Sequence, residues 1–474
     1  MVFASLVFLF FFLPIVMLGY YLLRPFPVIF RNIWLLLSSL FFYAWGEPYH
    51  FYLLILSIVA DYFLGFLVSP KMPGWIRRCS LVSALLFHFG ILFLFKYLES
   101  TVHLVGRILK TDIKVSAIAL PIGISFYTFQ AVSYIVDVYR QKSAPQKNPV
   151  DLGLYISFFP QLVAGPIVRY DTISDQLKNR KESLDGISDG LLRFCRGLGK
   201  KVLIANVLGN LVDQVFQVVD AGNAIGIWTA WLGAIAYTLQ IFFDFSGYSD
   251  MAIGLGKIFG FAFEENFHYP YMATSVTDFW RRWHISLSRW FRDYVYIPLG
   301  GSRVGKPRLF FNLFVVWMFT GIWHGADLTF LFWGLGYFVF LALEKFFRIP
   351  ERLEKSKVKK NLYRIAVLLV VMFEWVLFRS AGMGRAVRYL KAMFGIGAAA
   401  SDTFAVQLLH EGRWALLAGI VLSTPLAAVV KEKCMKYGGA AWEYSLSVFY
   451  AVVLLLCTCF LVMDYHNPFL YFNF

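Results

Sequence analysis

Charge is what this chain has least of. Only 15% of its 474 residues are charged, against 59% hydrophobic, and the mean hydropathy is +0.63. A soluble globule usually carries about a quarter charged residues, so that class is excluded. Cysteine is scarce as well. The five present, two of them (Cys457 and Cys459) inside an apolar run, form neither a disulfide framework nor a zinc spacing, which leaves them as packing residues. No HExxH, GxSxG, Walker A or dinucleotide fingerprint occurs, so metal hydrolysis and the familiar nucleophile and nucleotide motifs have no support. No internal repeat of solenoid or transporter type is visible, and a metal site is not expected.

What is present is a series of charge-free apolar runs, at residues 1–23, 79–95, 115–136, 221–243, 309–326, 414–430 and 444–463. Each is near the roughly 17 to 25 residues that a spanning helix needs. Weaker candidates lie around 35–45, 49–68, 152–168, 328–343 and 365–378. The expectation is an all-α, polytopic integral membrane protein with about a dozen transmembrane or re-entrant segments. The first run lacks a preceding positive charge and stays apolar too long for a cleavable signal core, so it reads as a retained helix.

The net charge of +15 does not imply nucleic acid, because the cations recur in short loops rather than in one patch. Arg24 and Arg31, then Lys71, Arg77 and Arg78, then Arg140, Lys142 and Lys147 mark alternate loops. The positive-inside rule makes those loops cytoplasmic and places Met1 outside. The cluster from Arg348 to Arg364 is then cytoplasmic too. The cationic 96–114 loop is the exception to this topology.

Two polar stretches interrupt the pattern. Residues 169–201 are polar and then amphipathic, and are expected at the cytoplasmic interface. Residues 264–308 hold most of the chemistry. There, Ser275 or Thr277 can cap a helix, on which Arg281, His284, Ser288 and Arg292 would share one face. Asp278 with Arg282, and Arg289 with Asp293, are spaced to pair. Such a face suits either an interfacial helix touching membrane lipid or the wall of an anionic-ligand site, with His284 assisting proton transfer.

His324 lies in "TGIWHGADLTF", with Thr320 one turn before it and Asp327 one turn after; Gly321 and Gly325 allow close approach or a helix break. An ionisable residue in an apolar run is a functional candidate by default; the alternative is a core histidine bonded across helices. Asp327 is a candidate to orient it. His88, alone in an apolar run, reads as a satisfied core residue, and His268 could approach the site. Asp244 and Asp250 are deep in apolar sequence; with Ser246, Gly247 and Ser249 between them, they are expected to mark a helix break.

A buried base can deprotonate a hydroxyl or thiol while cations hold an anionic donor. Acyl transfer from a thioester fits these parts, and a neutral imidazole suits it because burial lowers histidine pKa. No serine or cysteine nucleophile is evident, so direct transfer is expected.

The stretches "FWRRWHISLSRWFRDYVYIPLGG" and "GIWHGADLTFLFWG" resemble the membrane-bound O-acyltransferase (MBOAT) family. "LPIGISFYTFQAVSYIVDVYR", "FFPQLVAGPIVRY", "LQIFFDFSGYSDMAIGLGKIFGF" and the final "NPFLYFNF" resemble its bacterial alginate O-acetylase branch. The resemblance implies a single MBOAT domain over 1–474, with helices around a central tunnel. It divides into N-terminal helices (1–168), the interfacial segment (169–201), a catalytic core (202–347) and C-terminal helices (348–474). It implies catalytic roles for His324 and His284; Trp323 of the Trp-His-Gly stretch, and Asp327, Arg281, Ser288 and Arg292 from the reading above, are the supporting candidates. It implies acetyl-CoA as donor, no permanently bound cofactor, a plasma (inner) membrane location, a polysaccharide acceptor and an extracytoplasmic acetyltransferase or esterase-like partner. Tyr337 and Phe338 stand where many relatives have histidine and glycine. D-alanyl transfer to teichoic acid, and proton-coupled transport using Asp244, Asp250 and Glu374, are the competing readings.

Overall fold

The computed structural model describes residues 1–111 and 118–463, and every regular element among them is helical. His466, the "NPFLYFNF" ending, and parts of the 96–114 loop and the 115–136 run lie outside the described residues. Among the described residues, six helices are long and apolar enough to cross a membrane: Val28–Gly46, Gly74–Lys96, Leu184–Asp220, Leu328–Phe346, Lys357–Arg379 and Tyr444–Met463. A pair bent by 69°, Thr403–Leu422 with Leu426–Gly439, makes a seventh if it counts as one span. The other apolar runs form shorter helices, such as Phe8–Leu22, or more polar ones. The protein is a multi-pass membrane protein.

The chain divides into two compact units. The first comprises Met1–Cys195 with Tyr248–Glu264; the second comprises Arg196–Gly247 with Glu265–Phe474. In the first, His88 behaves as expected of a core histidine: its Nε2 lies 2.7 Å from the Asp61 carboxylate, and both side chains are buried. Glu182 receives Tyr20 and Arg31, and Arg180 Nε donates to the Tyr20 hydroxyl at 2.7 Å. Burying these polar groups is tolerable because each has a partner.

From Leu184 onward the amphipathic part of residues 169–201 is helical, and the helix continues to Asp220 as one span-length element whose apolar window is mostly buried. Several of its polar residues are used in ion pairs, among them Arg193 with Asp250 and Lys201 with Asp244.

Six helices matter for the site: α1 (Ile227–Ile258), α2 (Val276–Arg282), α3 (Ile285–Phe291), α4 (Lys306–His324), α5 (Leu328–Phe346) and α6 (Lys357–Arg379). The expected break between Asp244 and Asp250 does not occur, since α1 is helical throughout. The physical reason is charge pairing. Lys201 Nζ lies 2.7 Å from Asp244 Oδ1, and Arg193 reaches Asp250 Oδ1 from Nε at 3.1 Å and Nη2 at 2.9 Å. Neither acid is needed to cap freed backbone, and the serines ride on an intact helix.

Candidate active site

The site is built where α2 stops and α3 begins. Ser275 is the cap of α2, its Oγ accepting from Asp278 N at 2.9 Å. Asp278 and Arg282 pair as their spacing predicted, Nε to Oδ1 at 2.8 Å. Burial alone would raise the Asp278 carboxyl, but hydrogen bonds from Arg282 and Thr274 hold it below its ordinary value.

The expected single helix through Arg281, His284, Ser288 and Arg292 is corrected. Trp283 is extended, and His284 adopts φ 43° and ψ 56°, a left-handed conformation that non-glycine residues rarely take. The neighbouring 266–268 segment holds the turn. His268 N donates to Arg282 O at 2.9 Å, and Ile285 N donates to Asn266 O at 3.0 Å. His268 itself is an exposed residue beside Arg282 rather than part of the buried site. Strain of this kind persists only where surrounding structure fixes it, and it is commonest at functional positions.

Asn266 also fixes the imidazole. Its Oδ1 accepts from Ser286 N at 3.1 Å and Ser286 Oγ at 2.9 Å, and it lies 3.2 Å from His284 Nδ1. Because a backbone N–H donates to that amide atom, it is the carbonyl oxygen, so His284 Nδ1 is the N–H that also donates to it. The basic nitrogen of the neutral ring is therefore Nε2. His284 is 1% exposed and lies outside the candidate spans; burial pushes its pKa down to about 3, so the ring is neutral.

His324 is the last residue of α4. It is buried among aromatic rings, with Trp323 at 4.7 Å, Trp333 at 4.9 Å and Phe378 at 5.0 Å between centroids. Gly325 breaks the helix with extended backbone, and a side chain there would collide with the Phe330 ring. Between centroids, the Trp323 ring is 6.4 Å from the His284 ring and 4.7 Å from the His324 ring, so one tryptophan neighbours both imidazoles.

The sequence reading named both histidines, and the family resemblance added Trp323; the fold brings the three together. Arg281, Ser288 and Arg292 also meet, although on different elements: with Trp280, Leu287, Trp317 and Thr320 they line a mostly apolar cavity of about 230 Å³. Arg281 and Arg292 are exposed, and Arg292 Nε is 2.7 Å from Asp293 Oδ1. Thr320 lies one turn before His324. Asp327 does not join the site: it is exposed at the start of α5, and its side chain makes no hydrogen bond among the described residues. Tyr337, fully buried, packs against Trp280 at 4.8 Å and Trp333 at 5.3 Å and serves the aromatic core.

Sequence reasoning missed Asn266, Trp333, Phe378 and Glu344. The two aromatics carry no signal among 50 phenylalanines and 14 tryptophans. Glu344 did carry one, as an acid at the end of an apolar run.

Span-length helices and two buried imidazoles beside one tryptophan describe an integral-membrane protein with groups chemically suited to proton transfer. The comparisons with known proteins make that class specific. Residues 141–382 match the family described as MBOAT, membrane-bound O-acyltransferase family, and the chain belongs to it. It is an acyltransferase. Among its relatives is a probable alginate O-acetylase AlgI of Pseudomonas syringae pv. tomato, 41% identical over 84% of this chain and 76% of the relative. Another is a peptidoglycan O-acetyltransferase of Helicobacter pylori, 35% identical over 84% of this chain and 80% of the relative. A teichoic acid D-alanyltransferase of Bacillus subtilis is 30% identical over 54% of this chain and 67% of the relative.

Proposed function

We propose that this enzyme passes acetyl groups from a cytoplasmic thioester donor of the acetyl-CoA class across the plasma (inner) membrane, for O-acetylation of an exported or cell-wall polysaccharide. The observation that carries the reading is the Trp323 indole lying against both His284 and His324. It is supported by the cavity lined in part by the exposed Arg281 and Arg292, suited to an anionic donor head.

In the proposed reaction His324 takes the proton of the acceptor hydroxyl as that oxygen attacks the thioester carbonyl. The C–O bond forms, the C–S bond breaks, and the departing thiolate takes the proton back from the imidazolium. His284, neutral and with Nε2 as its basic nitrogen, supports proton movement from a fixed orientation. An extracytoplasmic acetyltransferase or esterase-like partner completes delivery to the polymer.

Replacing His324 by Ala should abolish polysaccharide O-acetylation while the protein remains in the membrane. Normal acetylation by that variant overturns the assignment. D-alanyl transfer is the second reading, favoured by the similarity to the Bacillus subtilis enzyme over about half the chain. Incorporation of labelled D-alanine instead of labelled acetate would establish it. The transport reading loses support, because Asp244 and Asp250 are held in ion pairs with Lys201 and Arg193.

A further inference from the structure

We infer that Glu344 is a positioning residue for the transfer site, acting through α2; the inference rests on the acyl-transfer reading above. Glu344 is 1% exposed and sits near the end of α5. Its Oε1 accepts from Val276 N at 2.6 Å and from the Tyr363 hydroxyl of α6 at 3.1 Å. Its Oε2 accepts from Thr277 N at 2.8 Å and Thr277 Oγ1 at 2.7 Å. With Ser275 Oγ on Asp278 N, the first three amides of α2 are all satisfied, two of them by a carboxylate from another helix.

A helix of seven residues has little stability of its own, so its direction is set by what holds its ends. Glu344 holds the start, and the partial positive charge of the helix N-terminus favours a carboxylate there. At the other end the chain passes through Trp283, tilted against Trp375 at 4.9 Å between centroids, directly into the strained His284 turn. Thr277, Trp280 and Arg281 of α2 line one side of the cavity, and Leu341, one turn before Glu344, lines it from α5. One carboxylate thus joins two walls of the cavity and fixes the helix that leads to His284. Glu344 is not among the residues lining the cavity, so its effect on catalysis passes through α2.

The test uses the full-length protein in detergent, with acetyl-CoA as donor. In Glu344→Gln an amide NH2 replaces one acceptor and opposes a backbone N–H. We expect the donor KM to rise by about tenfold with a smaller change in kcat, because an anchoring wall is displaced rather than the base removed. Tyr363→Phe, outside the cavity lining, loses only one hydroxyl donation to Glu344 and should fall between the wild type and Glu344→Gln, which keeps the inference open to refutation if Glu344→Gln fails to fold.

A second readout is independent of activity. Hydrogen exchange of the peptide covering Val276 and Thr277 should be slow in the wild type and faster in Glu344→Gln. Unchanged exchange would show that the clamp is not made. Faster exchange with unaltered KM and kcat would make Glu344 a structural cap only and overturn the positioning role. A wild type that transfers no acetyl group, with the exchange difference intact, would overturn the acetyl-transfer reading and this role together, while leaving the clamp itself established.

Discussion

Asn266 Oδ1 and His284 Nδ1 lie 3.2 Å apart, with both residues buried. The same oxygen takes the Ser286 amide and hydroxyl, so a single carboxamide sets the backbone turn and the imidazole tautomer together.

Asn266→Ala should therefore do two things. It leaves the Ser286 N–H buried without its acceptor, at a cost of about 1–3 kcal/mol in stability. It also frees the His284 ring to rotate. Thermal unfolding and acetyl transfer measured together should both fall, with transfer falling by about tenfold or more. A variant of normal activity would show that the tautomer of His284 is immaterial.

The low pKa of His284 makes stability depend on pH with a definite sign. Its folded value is about 3 against an ordinary 6.5, so between those values the unfolded chain binds a proton that the folded chain refuses. This contribution is fully present above pH 6.5 and is lost progressively as pH falls toward 3. Unfolding midpoints of the wild type should drop more steeply on acidification than those of His284→Gln, which cannot titrate. Equal slopes for the two proteins would contradict the assignment of a desolvated, neutral ring.

The Lys201 and Asp244 side chains are 5% and 2% exposed and 2.7 Å apart. Lys201→Met strands a buried carboxylate and should destabilise the protein by about 3–5 kcal/mol. Lys201→Met combined with Asp244→Leu removes both charges and should recover most of that loss. The comparison is made by denaturant or thermal unfolding in one detergent, and a double variant no better than the single one would refute a charge-pairing role.

At Gly334, α4 and α5 pass close together. A Cβ at that position would meet the Trp317 carbonyl oxygen and come within 3.0 Å of Gly321 Cα. Backbone cannot yield as a flexible side chain does, so Gly334→Ala should cost about 1–3 kcal/mol by overpacking. It should also shift Trp333 and so disturb His324, lowering transfer. Unaltered stability in that variant would mean the two helices can separate freely.

Much of this protein was legible before folding was considered. The apolar runs alone required membrane helices, because no other use exists for so many charge-free stretches. The Trp-His-Gly context of His324 and the aromatic, cationic stretch around His284 singled out two histidines that the fold sets beside the same tryptophan, because their chemistry is rare inside apolar sequence. Spacing also announced the Ser275 cap and the Asp278–Arg282 pair, since both are local contacts along one helix.

Tertiary structure decided what local spacing cannot express. His284 leaves the helix because residues 266–268, outside its own turn, offer better partners than helical continuation does. The acids of α1 became structural because Lys201 and Arg193 come from a distant stretch of chain. Asp327, near His324 in sequence, stands exposed at the start of α5 once Gly325 has broken the helix between them, and the rings around His324 come partly from α5 and α6. Periodicity describes neighbours along one helix, whereas this site is assembled from contacts between helices.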